Sequence, residues 1–552
     1  MNNLIDRIRN ISYEDANSII KHLSGIVNYF SSEKDKEEFI SVHDTDSIIV
    51  SEDKVSYGDW QTPISLAQKV CHAHILKYGD PDIVIEPTCG LGAFVLSALE
   101  IFPNVSEIHA LEINNKYTNT LKYRLLSRAL SIPYRKWPDI YIYNSDFFEF
   151  DFSPIIEKGE KNNWNLAIIG NPPWVTNSRQ GKNKSNNVPP KTNTFGLKGI
   201  EAITGKSNFD ISEYITLLLL KLSQMNKGGI SFLLKNSVIR NILVKQHTNN
   251  LHIGNIEQLS IDASSEFSVS VDASCLSARF GCTPAYTCLL SDFYTGLHIC
   301  QYGWVDDSFV ADIDLYRNYS KYDNYSSYVW RSGIKHDCTS VLELTLYEDE
   351  YINGFGEKVQ IEDDLIYPLL KSSDINNYKN NCFRKFIIVP QRRVGDNTSS
   401  LKYTHPLAYA YLSRHVSYFD KRKSSIYKGK DKFSIFGIGE YSFKPHKIVV
   451  SSLYKTVNFM LVSQFEGKPV MVDDTCYQLD FDSFEEAKCI YEILKSKEVQ
   501  SLLQSLVFKD AKRVVTKSLL MRLDLSQLCQ EKGIDYSHKV KEYICQQQSL
   551  FD

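Results

Sequence analysis

The stretch NLAIIGNPPW, residues 165–174, ends an apolar run with an asparagine, two prolines and a tryptophan. Because proline has no N–H group, Pro172 and Pro173 leave a turn that presents carbonyl oxygens and the Asn171 side chain, with few competing donors. Such a turn is suited to accept hydrogen bonds from an amino group. Trp174 adds a flat surface on which a planar ring can stack. The segment therefore indicates chemistry on the amino group of a planar substrate.

A second stretch, IVIEPTCGLGAF (83–94), places Glu86 at the end of a predicted strand, before two glycines and a predicted helix. Gly90 and Gly92 would let the backbone approach a ligand closely, and a helix N-terminus offers free N–H groups. A tight strand-to-helix turn without a ligand has the same composition. The spacing that follows favours a ligand, because Glu112 ends the next predicted strand, where a carboxylate can accept both ribose hydroxyls of a nucleoside.

Asp146 follows the third predicted strand, in YIYNSDFFEF. Its carboxylate could accept a hydrogen bond from an adenine amino group, with Phe147 against the ring. The chain has no phosphate-binding G-x-x-x-x-G-K-[ST] motif, and the third glycine of the dinucleotide fingerprint is missing, since Ala93, Phe94 and Val95 follow Gly92. A nucleoside cofactor without a pyrophosphate fits this pattern better, and S-adenosylmethionine is such a cofactor.

These residues need a scaffold that brings strand ends together. From about Tyr57, short apolar strands alternate with helical stretches, the strands being PDIVIEP, EIHALEI, DIYIYN, NLAIIG and GGISFLL. Continuous apolar strands are typical of a parallel sheet buried on both faces, so the sequence predicts a doubly wound, mostly parallel α/β sheet. Ligands bind at the carboxyl ends of such strands, where the candidate residues would meet.

Several of these segments, in this order, resemble the gamma class of adenine-N6 DNA methyltransferases. The T-P element before the glycine turn and the N-P-P-W after it mark this class. The resemblance implies a seven-stranded methyltransferase sheet within a catalytic domain at 56–300, a helical N-terminal extension at 1–55 and a C-terminal α+β target-recognition domain at 301–552. The segments are YGDWQTPISLA (57–67), EPTCGLGAF (86–94), LEIN (111–114), NSDFFEF (144–150) and NPPW (171–174).

The resemblance also implies roles for individual residues. Thr62 would contact the methionine end of S-adenosylmethionine, Glu112 the ribose and Asp146 the adenine. The family clamps a flipped adenine with a second aromatic residue, assigned here to Phe267, although Glu266 stands where a bulky apolar residue is expected. The cofactor-binding set is Thr62, Glu86, Thr88, Gly90, Gly92, Glu112, Asp146 and Phe147. The catalytic set is Asn171, Pro172, Pro173, Trp174 and Phe267.

The charge distribution indicates a surface that binds nucleic acid, and the resemblance implies that the partner is double-stranded DNA, while a preference for duplex or single strands stays open. The chain carries a net charge of −4, yet residues 371–460 hold 17 Lys and Arg against 5 Asp and Glu, interleaved with 15 Phe and Tyr. Such a segment is typical of a phosphate-contacting surface, the alternative being a solvated basic face over an aromatic core. A basic insertion at 177–210 is a candidate lid over DNA phosphates, and Arg392 and Arg393 are candidate guanine readers. The DNA-binding set is Lys182, Lys184, Arg392, Arg393, Lys421, Arg422 and Lys423.

Other classes of protein are disfavoured. No apolar run approaches the ~20 residues that span a bilayer, so we expect no membrane association and a cytoplasmic prokaryotic protein, bound to the nucleoid through DNA. The twelve cysteines form no C-x-x-C pair and have no metal-ligand spacing, which favours reduced core thiols and no metal site.

Two alternatives to a DNA methyltransferase stay open at this point. One is an amino-methyltransferase for an RNA base or a protein glutamine, because N-P-P-aromatic turns occur in those enzymes as well. The other is a catalytically silent DNA-binding subunit of a defence complex. The sequence shows no nuclease motif with an E-x-K lysine, so a restriction endonuclease or defence subunit would be a separate chain.

Overall fold

The computed structural model describes residues 2–44, 61–132, 136–175, 210–268, 271–377, 383, 385–511 and 513–534. The chain divides into two compact units, residues 1–309 and 310–552. The sequence-based boundary after residue 300 falls inside strand His298–Val305, because this strand pairs with the preceding strand of the first unit. No helix of the described residues is long and apolar enough to cross a membrane.

The first unit alternates strands and helices through most of its length. Its strands are β1 Ile26–Val27, β2 Ile83–Glu86, β3 Glu107–Glu112, β4 Asp139–Asn144, β5 Asn165–Gly170, β6 Lys227–Lys235, β7 Ile253–Ile261, β8 Ala273–Phe280, β9 Thr287–Asp292, β10 His298–Val305 and β11 Ser308–Val310. Its helices are α1 Asn2–Ile8, α2 Tyr13–Ser24, α3 Glu33–Asp44, α4 Ile64–Tyr78, α5 Ala93–Ile101, α6 Asn115–Ser131, α7 Ser153–Lys161, α8 Ile211–Ser223, α9 Asn236–Asn249 and α10 Ala263–Phe267.

The strands form one sheet in the order β1-β4-β3-β2-β5-β6-β8-β7-β9-β10-β11. The six strands from β1 to β6 in this order run parallel, and β8 is antiparallel to its neighbours β6 and β7. Strand β2 is buried at every position, and β5 at every position but its first, which explains their continuous apolar runs. The predicted mostly parallel α/β sheet is confirmed.

Within the described residues this sheet has eleven strands, four more than the seven that the resemblance implies. One addition is β1, whose two residues pair with Ile140 and Tyr141 of β4 and are too few to leave an apolar pattern. The others are β9, β10 and β11, in which most positions are partly or fully exposed. The count of seven comes from the resemblance, which does not include these four strands.

The residues before the glycine turn are built into this unit. Leu4, Ile8 and Ile20 from α1 and α2 are buried in the same core as the sheet strands. Lys21 of α2 also forms an ion pair with Asp139 at the start of β4. The described part of the predicted N-terminal extension therefore covers one edge of the sheet.

The second unit has the α+β composition that the sequence predicts, with two separate sheets. The four-stranded sheet has the order β12-β20-β17-β18, and the five-stranded sheet the order β14-β13-β16-β15-β19. The strands are β12 Arg331–Ser332, β13 Glu343–Tyr347, β14 Glu350–Ile352, β15 Ile366–Leu370, β16 Lys385–Ile388, β17 His446–Ser451, β18 Phe459–Ser463, β19 Met471–Val472 and β20 Cys476–Phe481. The helices are α11 Ile313–Tyr319, α12 Thr339–Leu342, α13 Ser372–Asn377, α14 Leu401–Thr404, α15 Pro406–Arg414, α16 Val416–Asp420, α17 Phe484–Leu494, α18 Lys497–Leu506, α19 Lys517–Leu520 and α20 Leu525–Glu531.

A buried ion-pair network lies in the second unit. The Lys371 ammonium donates to both Glu343 carboxylate oxygens, at 2.7 and 2.8 Å, and lies 3.8 Å from Asp473 Oδ2. His336 Nε2 lies 3.4 Å from Glu343 Oε1. Burial by itself would raise the pKa of Glu343, but the bonds from His336 and Lys371 outweigh it and lower the pKa to about 2. His336, Glu343 and Asp473 are spaced like metal ligands, and Lys371 supplies the positive charge that this cluster requires.

We expect Lys371→Met to lower the free energy of unfolding by on the order of 3 kcal/mol at pH 7, because it leaves the Glu343 carboxylate buried without its cation. The matched control is Lys358→Met, which removes the exposed pair with Glu350 and should cost under about 1 kcal/mol. Urea titrations of the full-length variants provide both values.

The pH dependence of this difference follows from the lowered pKa of Glu343. The stabilisation is complete above the carboxyl's unfolded pKa of about 4.3 and is lost as the pH falls towards about 2. The difference in free energy of unfolding between wild type and Lys371→Met should therefore decrease below pH 4. If this difference stays constant down to pH 3, the ion pair between Lys371 and Glu343 is not the source of the stabilisation.

Candidate active site

Four parallel strands bring their last residues to one edge of the first unit's sheet. In the register of the sheet, Glu86 of β2 pairs with Ala110 of β3, and Glu112 of β3 pairs with Asn144 of β4. Strand β5, which ends at Gly170, pairs with β2 on its other side. Except for Thr62 and Phe267, the predicted cofactor and catalytic residues lie at these strand ends or shortly after them, so parallel pairing assembles them at one edge.

The turn between β2 and α5 needs its two glycines. Gly90 has φ +53° and Gly92 has φ +82°, in the left-handed region that favours glycine. A Cβ atom on Gly92 would lie 2.2 Å from Leu121 Cδ1, and one on Gly90 would lie 2.9 Å from Gln61 Oε1. The left-handed backbone therefore favours glycine at both positions, and a larger residue would also displace the end of the Leu121 or Gln61 side chain.

The amide groups of this turn are already bonded within the protein. Gly90 N donates to Glu112 Oε2 at 2.9 Å, Leu91 N to Gln61 Oε1 at 3.1 Å and Gly92 N to the Cys89 carbonyl at 2.7 Å. These three amides come before α5, so the expectation of free N–H groups at the helix N-terminus stays a prediction, although Val95 N in the first turn of the helix is bonded to Glu86 Oε2. A turn arranged in this way does not offer these amides to a pyrophosphate, which agrees with a nucleoside cofactor that has none.

Glu86 holds the first turn of α5 from inside the core. Its side chain is only 2% exposed, and its Oε2 accepts a hydrogen bond from Val95 N at 3.0 Å. Burial raises the pKa of the Glu86 carboxyl well above its ordinary value, and the nearby Glu112 carboxylate raises it further. Glu86 therefore acts as a side-chain cap that joins the strand end to the helix.

Glu112 is fixed from two sides. Besides Gly90 N, its carboxylate accepts a hydrogen bond from Asn114 N at 2.8 Å. The Asn144 side chain donates to the carbonyls of Glu112 and Ile113, both at 3.0 Å, and so ties the end of β3 to the end of β4. A carboxylate oxygen can accept more than one hydrogen bond, so the bonds from Gly90 N and Asn114 N do not exclude the ribose hydroxyls that the sequence assigns to Glu112.

Other predicted cofactor residues differ in their surroundings. Asp146 follows β4 and accepts a hydrogen bond from Phe148 N at 3.0 Å. The Phe147 ring is 6% exposed and packs against Phe152 with the ring centroids 5.3 Å apart, so it belongs to the core more than to an open cofactor surface. Among the described residues, no group bonds the buried Thr88 hydroxyl, which leaves it able to bond a ligand at the turn.

Asn171 and Thr62 meet although 109 positions separate them in the chain. Asn171 Nδ2 donates to Thr62 Oγ1 at 3.2 Å, and Thr62 comes just before α4. Pro172 is buried and Pro173 is partly exposed. The bond to Thr62 orients the amide group, so that its carbonyl oxygen faces the other way as a hydrogen-bond acceptor.

Trp174 and Phe267 also come together. Their rings form an edge-to-face pair with centroids 5.4 Å apart, and each side chain is 7% exposed. The Trp174 indole N–H donates to the Leu233 carbonyl at 3.2 Å, and Phe267 ends the short helix α10. The indole is therefore fixed by β6 and packs into the core, which is a more buried position than an exposed stacking platform.

The predicted DNA-binding residues fall into three groups. Lys182 and Lys184 lie outside the described residues. Lys421 and Lys423 are exposed, as are Arg392 and Arg393. The Arg422 guanidinium instead donates to the carbonyls of Phe419, His336, Ser434 and Lys432 and lies 3.8 Å from the centre of the Tyr427 ring. Arg422 therefore stabilises the fold, and its donors are used there.

Sequence reasoning missed two features of this edge. Gln61 binds Leu91 N and covers Gly90, and its position beside Thr62 was the available signal. Lys235, the last residue of β6, forms an ion pair with Asp210, which is 7% exposed and caps α8. Nothing in the spacing of these two residues indicated that they pair.

Comparison with known proteins agrees with this geometry. The chain is 39% identical over 481 residues to the type II methyltransferase M.NspV of Nostoc sp. (strain ATCC 29411 / PCC 7524), a match that covers 87% of this chain and 98% of the relative. Its fold is similar to that of the type IIL restriction-modification enzyme MmeI, solved in complex with DNA, with a TM-score of 0.53 and 13% identity over 93% of this chain and 67% of that one. No family model matches the chain.

We expect Glu86→Ala to destabilise the protein by about 2 kcal/mol, because Val95 loses its cap and its buried N–H is left without an acceptor. Glu86→Gln keeps an oxygen for Val95 and removes the buried charge, so its stability at pH 8 should equal or exceed that of wild type. Thermal unfolding of both variants measures this.

The pH profile distinguishes the two effects. Burial raises the pKa of Glu86 in the folded protein. The contribution of Glu86 to the free energy of unfolding is therefore largest below the carboxyl's unfolded pKa of about 4.3, and it decreases as the pH rises towards the folded pKa. The free energy of unfolding of Glu86→Gln should not show this decrease with rising pH. If Gln destabilises as much as Ala at pH 8, Glu86 must act through its charge and not as a cap.

Proposed function

The chain belongs to the type II methyltransferases, the modification enzymes of restriction-modification systems, and on this basis we propose that it methylates N6 of adenine at a specific DNA sequence. S-adenosylmethionine is the methyl donor. The target adenine would be rotated out of the duplex into the site at the carboxyl ends of β2 to β5. A separate restriction endonuclease would be its partner in the cell.

The position of Asn171 carries this proposal. Asn171 follows Gly170, where an added Cβ atom would lie 3.6 Å from Glu86 Cγ, so the catalytic turn starts beside the strand that leads into the glycine turn. The hydrogen bond from Asn171 Nδ2 to Thr62 Oγ1 orients the amide. An acceptor held rigidly next to the cofactor turn is what transfer to an amino group requires.

The reaction needs such acceptors because the adenine amino group is a poor nucleophile. Its nitrogen lone pair is delocalised into the ring. Two oxygens that accept the amino hydrogens, Asn171 Oδ1 and the Pro172 carbonyl, would favour a tetrahedral nitrogen whose lone pair faces the methyl donor. They would also stabilise the positive charge that develops on the nitrogen during transfer. No covalent intermediate with the protein is required.

The glycine turn supports S-adenosylmethionine as the group held there, and this cofactor supplies an activated methyl group on a sulfonium. Glu112 is anchored by Gly90 N and Asn114 N at the edge where it would accept the ribose hydroxyls. The amides that a pyrophosphate would need are bonded to protein groups. Asp146 and Thr88 would complete the contacts to the nucleoside.

The aromatic pair supports a base as the substrate. Trp174 and Phe267 come from distant parts of the chain and meet edge to face. A flipped adenine loses its stacking in the duplex, and contact with an aromatic side chain replaces part of that loss. Since both rings are now buried against each other, we propose that the entering base contacts the exposed edge of this pair or separates the two rings.

The basic segment at 371–460 supports DNA as the partner. Lys421, Lys423, Lys428 and Lys430 are all exposed, in a stretch whose loop is held by Arg422. Lysines presented in this way can neutralise phosphates without reading sequence. The proposed DNA surface includes Lys421 and Lys423 and excludes Arg422.

We expect Asn171→Ala to lower the methylation rate by about 10²–10³-fold, because it removes one of two acceptors that act on the amino group. S-adenosylmethionine binding should change by less than threefold. The control is Asn249→Ala, an exposed asparagine at the end of α9, which should behave as wild type. Modification-sensitive sequencing of DNA from expressing cells, together with calorimetry of cofactor binding, tests both statements.

A methylated adenine motif that persists in Asn171→Ala cells at the wild-type level would refute the proposed role. If the wild-type protein methylates RNA or a protein glutamine but not DNA, that molecule is the methyl acceptor and the proposal of a DNA substrate is wrong. If the wild-type protein methylates none of the three acceptors, the remaining alternative is a DNA-binding subunit without catalytic activity.

Phe267→Leu tests the aromatic pair. The substitution keeps an apolar side chain in the core, so the stability loss should stay within about 1.5 kcal/mol. The loss of the aromatic contact to the base should lower kcat/KM for DNA by about tenfold, with cofactor affinity unchanged. An unchanged kcat/KM would show that Phe267 only packs in the core.

A further inference from the structure

Two adjacent arginines of the second unit, Arg392 and Arg393, lie in a turn whose backbone is tightly held. The amide N–H groups of both residues donate to Asp396 Oδ2, at 3.0 and 2.8 Å. The buried Gln391 side chain donates to the Arg393 carbonyl at 2.8 Å and exchanges hydrogen bonds with the backbone of Ile435. The turn therefore presents both arginines from a fixed position.

The two side chains have different surroundings. Arg393 Nε donates to Glu440 Oε1 at 3.0 Å, and both side chains of this pair are more than half exposed. The Arg392 guanidinium lies 4.1 Å from the centre of the Phe443 ring. Among the described residues, no hydrogen bond or ion pair to the Arg392 guanidinium is found. One arginine is thus paired with a carboxylate, and the other is stacked with its donors available.

The stacking surface is itself held in place. Phe443 ends the short 3-10 helix Glu440–Phe443 and packs edge to face on Tyr367 of β15, with ring centroids 5.6 Å apart. The helix is preceded by Gly439, where a Cβ atom would lie 2.7 Å from the Tyr441 ring. The same helix therefore fixes Glu440 against Arg393 and Phe443 against Arg392.

Stacking and hydrogen bonding use different parts of a guanidinium. An aromatic ring contacts its flat face, while its N–H donors point outward in the plane of the group. Those donors match the O6 and N7 acceptors of guanine in the major groove. An exposed arginine that is stacked but not paired loses little freedom when it binds a base edge, because the ring already restricts its orientation.

We propose that Arg392 reads a guanine of the DNA target, with Phe443 as the platform that orients it, and that Arg393 contacts the phosphate backbone. This inference rests on the proposed function, since it assumes that DNA is the substrate. The structure thereby distinguishes two neighbouring arginines that the sequence treats alike. Arg392 is a specificity-determining residue, and Phe443 and Gln391 are positioning residues.

The test uses the full-length protein with S-adenosylmethionine and short duplexes. The sequence methylated by wild type is mapped first, and methylation rates are then measured on that target and on every single-base-pair change of it. Arg392→Ala should methylate the target roughly ten- to a hundredfold more slowly than wild type does, and it should no longer prefer G·C at one position. Phe443→Leu should lower the same preference to a smaller extent.

Arg393→Ala is the matched comparison. It should lower the rates on all duplexes by a similar factor and reduce the salt dependence, while the sequence preference stays that of wild type. Thermal unfolding of the exposed-arginine variants checks that each is folded.

Three results would overturn the assignment while the proposed function stands. These are a target without a G·C pair, an Arg392→Ala variant that keeps every sequence preference, and an Arg392→Ala variant whose rates fall equally on all duplexes. A wild-type protein that methylates no DNA would instead overturn the proposed function, and the assignment with it.

Discussion

Two carboxylates control the turn on which the rest of the site depends. Glu86 ends β2 and caps α5 through Val95 N, while Glu112 ends β3 and accepts a hydrogen bond from Gly90 N. The turn between β2 and α5 is therefore fixed to two neighbouring strands. One of these carboxylates is buried at a cost, which its raised pKa reflects. The other lies at the edge where a nucleoside cofactor would bind.

The turn that begins at Asn171 is coupled to this constraint through packing. Gly170 lies against Glu86, so Asn171 begins at a point set by β2 as well as by its own strand. Thr62 then orients the Asn171 amide from the segment before α4, and Leu233 of β6 holds the Trp174 indole. Each contact comes from a different strand or helix, which explains how a short proline-rich turn can have one defined geometry.

Part of this could be predicted from the sequence, because strands buried on both faces leave continuous apolar runs. Strands β2 to β6 were identified on that basis, and the parallel sheet placed Glu86, Glu112 and Asn171 at one edge. The two residues of β1 leave no such pattern. The surroundings of a side chain were also beyond reach, as Phe147 shows by packing in the core and Arg422 by bonding backbone carbonyls. The residue type shows which hydrogen-bond donors or aromatic rings a side chain carries, but the groups that the side chain contacts depend on the fold.

The central claim is that this site methylates the amino group of adenine in DNA. The most direct measurement is to incubate the protein with plasmid DNA and S-adenosylmethionine carrying an isotopically labelled methyl group, digest the DNA to nucleosides and identify the labelled nucleoside by mass spectrometry. We expect label in N6-methyladenine alone. Label in a methylated cytosine, or DNA that acquires no label, would contradict it.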